Sequence, residues 1–256
     1  MQMSSTQKGT ISVYFVKEAL AGLQHRGVQP EILLQRAGLP ADILNHPDAR
    51  VTAQQYGALW HLIADLLDDE FFGMGRRPMR RGSFTLLCHA IISSDTLEQA
   101  LRRALRFKRL VIDDVAGELR REGLHASIVL VDQPIQRGGP TPPPARIFLY
   151  STYLVMLHGL ACWLIGQRIP LLKVCFRSKE PDFSAELKTL FSDNIHFECE
   201  HSSFEFDAKY LDMRNIRDAV AMKRFLRNAP ANYLVKYKNL NSLSTRVRRM
   251  LRDTEP

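Results

Sequence analysis

One short segment concentrates side chains that could hold a metal ion or take part in catalysis. It reads HFECEH and begins at His196. On an extended strand alternate residues share a face, so His196, Glu198 and Glu200 would point together and could serve a metal-dependent enzyme. A structural zinc site, however, commonly takes four convergent nitrogen or sulfur ligands. The favoured interpretation is a strand with Phe197 and Cys199 inward and a charged outer face.

The sequence lacks the common catalytic and cofactor-binding motifs. The GMG that begins at Gly73 starts like a dinucleotide-binding loop, but Pro78 stands where the third glycine belongs. No phosphate-binding loop, zinc-protease motif or serine-hydrolase elbow occurs. Cys88 and His89 are neighbours, and on a helix their side chains would diverge by about 100°. We therefore expect no catalytic residue, no metal and no cofactor, and the chain is not predicted to be an enzyme.

Positive charge is concentrated near the end of the chain. The net charge is +8, and between Lys209 and Asp253 twelve basic residues face three acidic ones. Such a block is typical of a solvated helical surface or of a polyanionic neighbour. Weak binding of nucleic acid without sequence preference is therefore one alternative for this stretch. A second basic group, Arg102, Arg106 and Arg109, follows helical spacing and could be a solvated face or hold an anion.

The first hundred residues that must position these side chains have the apolar spacing and the caps of helices. Helices are predicted at residues 11–24, from Pro30, behind a capping box of Thr52 and Gln55, at residues 84–92, and behind a cap of Asp95 with Glu98.

The pattern then changes to alternating and β-rich runs. Strands are predicted at residues 110–120, 124–131, 172–176, 196–199 and 204–206, with a short helix at 184–191 and later helices at 216–227 and 243–252. Five prolines and two glycines in residues 133–144 indicate a loop. The predicted fold class is α+β, with an N-terminal helical layer, a small mixed sheet with a long buried helix, and a helical C-terminal exit.

The long helix is predicted at residues 147–166, which are almost wholly apolar. Its length would span a bilayer, but serine, threonine and histidine interrupt it, so a core helix is favoured and no membrane partner is expected. None of the four cysteines has C-x-x-C spacing, which favours free, mostly buried thiols in a reducing compartment.

The order of these segments resembles the N-terminal effector-binding domain, arabinose-binding-like, of a branch of AraC-type bacterial transcription regulators. In the first half the similarity is carried by residues 50–60, DEFFG at 69–73, GSFTLL at 82–87 and SDTLEQAL at 94–101. In the second half it is carried by residues 181–191, IHF at 195–197, FEFD at 204–207, YLD at 210–212 and the helix at 243–251. The resemblance covers roughly residues 11–252.

This resemblance implies a cytoplasmic sensor that binds a small-molecule effector and forms a homodimer. In such regulators a C-terminal pair of helix-turn-helix units reads DNA in the major groove. We expect those units to be absent from this chain, so that DNA is contacted only through a missing domain. Residues 1–212 would then be the effector-sensing domain, and residues 213–256 a basic helical linker toward the DNA-binding domain.

Effector contacts are expected in the seam between the first helices and the sheet. Small-molecule pockets combine apolar walls with a few polar groups, and the candidates fit this description by residue type and position. They are Phe84, His89, Arg106, Phe107, Tyr153 and His158.

Overall fold

A computed structural model describes residues 10–23, 27–134 and 146–234. The helices in these ranges are α1 (Val13–Ala21), α2 (Pro30–Arg36), α3 (Ala53–Leu67), α4 (Ser83–Ile92), α5 (Leu97–Val111), α6 (Ile147–Ile165), α7 (Ser184–Leu190), α8 (Ala219–Asn228) and α9 (Ala231–Leu234). The strands are β1 (Thr10–Ser12), β2 (Arg50–Thr52), β3 (Val115–Glu122), β4 (His125–Asp132), β5 (Lys173–Cys175), β6 (Ile195–His196) and β7 (Ser202–Asp207).

The strands form two sheets of different size. β1 and β2 pair antiparallel ahead of the first helices, while the larger sheet has the order β3-β4-β7-β5-β6. Its pairings are antiparallel except that of β5 with β6, which is parallel. This mixed sheet, the helices in front of it and the helical exit confirm the predicted α+β class.

Local sequence signals explain where several helices begin. Thr52 accepts a hydrogen bond from the Gln55 backbone and the Gln55 side chain accepts one from the Thr52 N–H, which confirms the predicted capping box. Pro30 opens α2 as predicted. The cap of α5 is different: Thr96, not Asp95, accepts from the Gln99 backbone N–H.

Two predicted boundaries were wrong because a neighbouring element takes the residues. Ile11 lies on β1, paired with Val51, so α1 begins only at Val13. Residues 110–111 extend α5, and β3 therefore begins at Val115 rather than at residue 110. Most of the predicted loop at 133–144 and the predicted helix at 243–252 lie outside the described residues.

Helix α6 is the centre of the fold. It is the one helix among the described residues that is long and apolar enough to cross a membrane, and 89% of its most apolar stretch is buried inside the protein. It packs against α5, β7 and α9. It ends at Gly166, which adopts the left-handed conformation that favours glycine at a helix C-terminus. The helix is thus covered by the protein's own elements, as predicted for a core helix.

The cysteine side chains are free thiols. Cys88, Cys162 and Cys175 are buried and Cys199 is half-buried. Burial raises the pKa of Cys88 to about 12 and that of Cys162 to about 11. These thiols are therefore held in the protonated form, which is poorly nucleophilic.

Candidate functional site

Lys108 is a charged residue on the buried face of α5. Leu101, Ala104 and Leu105 precede it at helical spacing and are also buried. Its side chain is 0% exposed. The helical repeat therefore places the Lys108 amine at a position where the sequence pattern predicts an apolar side chain.

The surroundings of this amine are almost entirely apolar. Its Nζ lies 4.4 Å from the centroid of the Tyr153 ring and 5.5 Å from that of the Phe71 ring. Its hydrogen-bond acceptor is the Met156 sulfur at 3.7 Å, and thioether sulfur is a weak acceptor. Aromatic faces attract a cation, but by less than a carboxylate would. Within the described parts of the chain no oxygen atom accepts a hydrogen bond from this amine.

Tyr153 supplies a second polar group at the same place. It lies on α6, its side chain is 0% exposed, and its hydroxyl has no partner at hydrogen-bonding distance and angle among the described residues. Burial raises the pKa of Tyr153 well above its usual range, an effect that the adjacent Gly117 backbone partly opposes. Tyr153 is therefore a neutral phenol with a hydroxyl proton to donate.

Glycine on β3 lets these side chains pack against the sheet. A Cβ atom at Gly117 would lie 2.5 Å from Leu105 Cδ2 and 3.0 Å from the Tyr153 hydroxyl. We call the enclosure formed by Phe71, Leu105, Lys108, Gly117, Tyr153 and Met156 the Lys108 site. It joins α5, α6, β3 and the segment after α3.

Other buried charges in the described chain are satisfied. Asp69, 2% exposed, accepts hydrogen bonds from the backbone N–H groups of Phe71, Gly73 and Met79. Asp114, 3% exposed, accepts one from the Arg76 backbone and pairs with the guanidinium groups of Arg76 and Arg146. Lys108 lacks such partners, which makes it the exception.

Burial sets the protonation of Lys108. Desolvation lowers the pKa of Lys108 to about 7, and the negative charge of Glu70 opposes the effect. The Glu70 oxygens are already engaged, because they accept hydrogen bonds from the Gly82 and Phe84 backbone at 2.8 and 2.7 Å. The amine therefore takes or loses a proton near neutral pH and can respond to a ligand that supplies an acceptor.

The structure separates the six residues predicted as effector contacts. Tyr153 lines the Lys108 site, and the half-buried Phe107 directly precedes Lys108 on α5. Phe84 packs against the rings of Phe225 and Tyr233 from the C-terminal helices. His89 and Arg106 are exposed.

His158 belongs to another environment. Its Nε2 lies 2.9 Å from the Ile169 carbonyl oxygen, and its ring contacts Phe204 on β7. On α6 it is five residues from Tyr153, which turns the two side chains about 140° apart. The two therefore do not line one enclosure.

Sequence reasoning missed Lys108 itself. The signal was present, because the residue lies four positions after Ala104 and seven after Leu101 on the apolar stripe. The prediction rests on residue type and position and names the neighbouring Arg106 and Phe107 instead. Periodicity identifies the buried lysine, whereas residue type alone does not.

The HFECEH segment does not form the predicted longer strand. β6 ends at His196, and Glu198 has a positive φ of 55°, so the alternation that would align three ligands is broken. His196 is exposed and its ring bonds to Asn194. No group of three His, Cys, Asp or Glu side chains able to hold a metal occurs in the part of the chain that the structure describes. The half-buried Phe197 and Cys199 follow the favoured inward orientation.

A concavity lies between α3 and the C-terminal helices. It is an open groove of about 570 Å³, and its lining includes His61, Arg227 and Asn232. The His61 ring bonds to the Ala229 carbonyl oxygen at 2.7 Å, and the Asn232 amide donates to the Phe225 carbonyl oxygen. The first contact joins the C-terminal segment to α3, and the second joins α9 to α8.

Residues 27–215 match the family described as the arabinose-binding domain of AraC transcription regulators, N-terminal. The chain belongs to this family and is a ligand-sensing regulatory domain of the AraC type.

Two known proteins are similar to this chain. The ornithine utilization regulator of Pseudomonas aeruginosa is 22% identical over 252 residues, which cover 94% of this chain and 70% of that protein. The crystal structure of the transcriptional regulator CdpR from Pseudomonas aeruginosa aligns with a TM-score of 0.39 and 14% identity. That alignment covers 100% of this chain and 73% of the other.

Proposed function

We propose that the chain senses its small-molecule effector at the Lys108 site. The observation that carries this proposal is a completely buried amine beside a buried hydroxyl, neither of which has an oxygen partner among the residues that the structure describes. An isolated buried charge costs several kcal/mol, and a single missing partner accounts for both groups. A bound effector would be that partner.

The proposed route of the signal is α6. This helix carries Tyr153 at the Lys108 site, and further along it Gly159 and Trp163 contact the C-terminal helices. The Trp163 ring stacks on Phe225 of α8 with centroids 4.2 Å apart. An effector that favours one position of α6 would therefore shift the population of positions available to α8 and α9.

The remaining partners follow from the family. We propose that the sensing unit, residues 1–212, acts as a homodimer in the cytoplasm and performs no catalysis. Residues 213–256 would be the basic linker through which a separate helix-turn-helix domain receives the signal and binds DNA. Ornithine is named for one relative, and it is therefore one compound to test here rather than an assigned effector.

A thermal-shift screen tests the proposed site. Metabolites that include ornithine, other amino acids, organic acids, amines and sugars would be added to the wild-type chain and to Lys108→Met. We expect at least one compound to raise the wild-type melting temperature, since a ligand at 100 times its Kd stabilises by about 2.7 kcal/mol. We expect the shift to disappear in Lys108→Met.

The matched control is Lys188→Met, which alters an exposed lysine on α7. This variant should keep the wild-type response. A compound that raises the melting temperature of Lys108→Met as much as that of the wild type would place the effector site elsewhere. The absence of any responding compound would count against sensing by this chain.

A further inference from the structure

We propose that the Lys108 site receives the carboxylate of a small organic monoanion, whose apolar remainder packs against Phe71, Leu105 and Met156. This inference rests on the proposed function, and it adds the chemical class of the effector. The Lys108 amine, the Tyr153 hydroxyl and the apolar side chains around them support it.

The site offers hydrogen-bond donors for which the described residues supply no oxygen acceptor. A lysine ammonium has three donors and no lone pair, and Lys108 directs one of them to the weakly accepting Met156 sulfur. The enclosed Tyr153 hydroxyl can donate as well. What is missing is an acceptor, and a cationic group would add a second buried positive charge beside the first.

The charge of the site fits a single negative charge. Lys108 is its one cation, and Glu70, the acidic group whose charge acts on Lys108, is held by the N-terminal backbone of α4. Two carboxylate oxygens can accept from the ammonium and from the phenol. The second charge of a phosphate dianion would remain without a partner, and burying an unpaired charge is costly.

The walls restrict what accompanies the carboxylate. Phe71 and Met156 are apolar and 1% and 2% exposed, and Leu105 is 5% exposed. Because the amine and hydroxyl are fully enclosed, a ligand enters only when α5, α6 or the Tyr153 ring moves. This requirement limits the ligand to a small size and makes its binding a conformational event.

Binding of an anion should be coupled to a proton. Burial gives Lys108 a pKa of about 7, and Glu70 and Tyr153 are the titratable groups that interact with it among the described residues. A carboxylate favours the ammonium form, so the complex takes up a proton above pH 7. Affinity should therefore fall as the pH rises.

The experiment compares three charge states on the same carbon skeleton. The probes are hexanoate, hexanamide and hexylamine, and benzoate, benzamide and benzylamine. Binding to the wild-type chain would be measured by isothermal titration calorimetry at pH 7.5 and 8.5, in buffers of different ionisation enthalpy, which reports proton uptake. Lys108→Met, Tyr153→Phe and the control Lys188→Met complete the set.

We expect a carboxylate to bind while its amide and amine do not. Its affinity should fall by up to about tenfold from pH 7.5 to 8.5, with proton uptake. Tyr153→Phe should weaken binding by about tenfold, as loss of a hydrogen bond to a charged group does. Lys108→Met should abolish binding, and Lys188→Met should leave it unchanged.

Three results would overturn the inference. If no carboxylate binds the wild-type chain, or if one binds Lys108→Met equally well, the anion assignment is wrong. If a neutral or cationic compound, from these probes or from the metabolite screen, binds and loses its affinity in Lys108→Met, the assignment is also wrong. In that last case sensing at the Lys108 site would stand.

Discussion

At the scale of the residue, Lys108 and Asp114 represent two outcomes for a buried charge. Asp114 is enclosed by guanidinium groups and a backbone N–H. Lys108 is enclosed by aromatic rings and a thioether. The first arrangement stabilises the charged form, and the second destabilises it. A buried residue that lowers the stability of the folded protein is a candidate for a functional role.

Replacing Lys108 by methionine should therefore stabilise the ligand-free protein. At pH 7.5 we expect the free energy of unfolding to rise by about 1–4 kcal/mol, because methionine fills similar space without the desolvation cost. Chemical denaturation of the wild type, Lys108→Met and Lys188→Met would measure the change. A decrease in stability for Lys108→Met would contradict the description of Lys108 as an unpaired charge.

The pH dependence of stability provides a second measurement on the same variants. The folded protein holds Lys108 at a pKa of about 7, below the usual 10.5, so above pH 7 the unfolded chain binds more protons. The free energy of unfolding should accordingly rise with pH, by up to about 1.4 kcal/mol per unit between pH 7 and 8.5. Below pH 7 Lys108 is protonated in both the folded and the unfolded chain, so the free energy of unfolding no longer changes with pH through this group. Lys108→Met should lack this rise, and an identical slope in both proteins would refute the assignment.

Single side chains were the hardest features to predict from the sequence. Tyr153 was identified and contacts Lys108, but Phe84 and His158 face other neighbours and His89 is exposed. Which residues meet across α5, α6 and β3 depends on packing between segments far apart in the chain. Whether the predicted residues contact an effector stays a prediction.

At the scale of the element, α6 and α9 approach each other closely. A Cβ atom at Gly159 would lie 2.5 Å from Tyr233 Cβ and 3.0 Å from its carbonyl oxygen. The ring of Tyr233 is in turn surrounded by Trp60, Phe84 and Phe225. The absence of a side chain at Gly159 therefore allows the C-terminal segment to dock.

The substitution Gly159→Ala should loosen this docking. The added methyl group meets backbone atoms, which cannot move independently, so we expect a loss of about 1–3 kcal/mol and faster amide exchange in α8 and α9. Gly57→Ala is the graded control, since its Cβ would lie at a milder 3.3 Å from Ala231 Cβ. Equal effects of the two substitutions would contradict this account of the contact between α6 and α9.

Elements were predictable where their cause is local. The capping box of Thr52 and Gln55 and the apolar run of α6 depend on neighbouring residues, and both were identified. The start of β1 was missed because Ile11 is held by Val51, forty positions away. The end of β6 was missed because the backbone turn at Glu198 leaves no simple mark in the sequence.

At the scale of the whole molecule, the Lys108 site and the C-terminal helices share α6. Tyr153 and Gly159 are six residues apart on this helix, and Trp163 follows one turn later. Tightly packed helices shift between discrete positions rather than deform continuously. The fold thus provides a physical connection between an enclosed ligand and the segment that leaves the sensing unit.

Hydrogen exchange with and without an effector found by screening tests this connection. We expect slower exchange in α5 and α6, which bind the effector, and a change in α8 that Gly159→Ala diminishes. Helix α2 contributes no residue to the Lys108 site and serves as the internal reference. Protection confined to α5 and α6, with α8 unaffected, would show that the signal does not take this route.

The central claim is that Lys108 is a buried amine without an oxygen acceptor among the described residues. Titration of Lys108 itself tests this claim most directly. Lysine labelled with ¹³C at the ε carbon would be incorporated, and the Lys108 resonance identified by its disappearance in Lys108→Met. The account predicts a pKa of about 7 in the ligand-free protein and a higher pKa once a carboxylate is bound. An ordinary lysine pKa near 10.5 without ligand would contradict it.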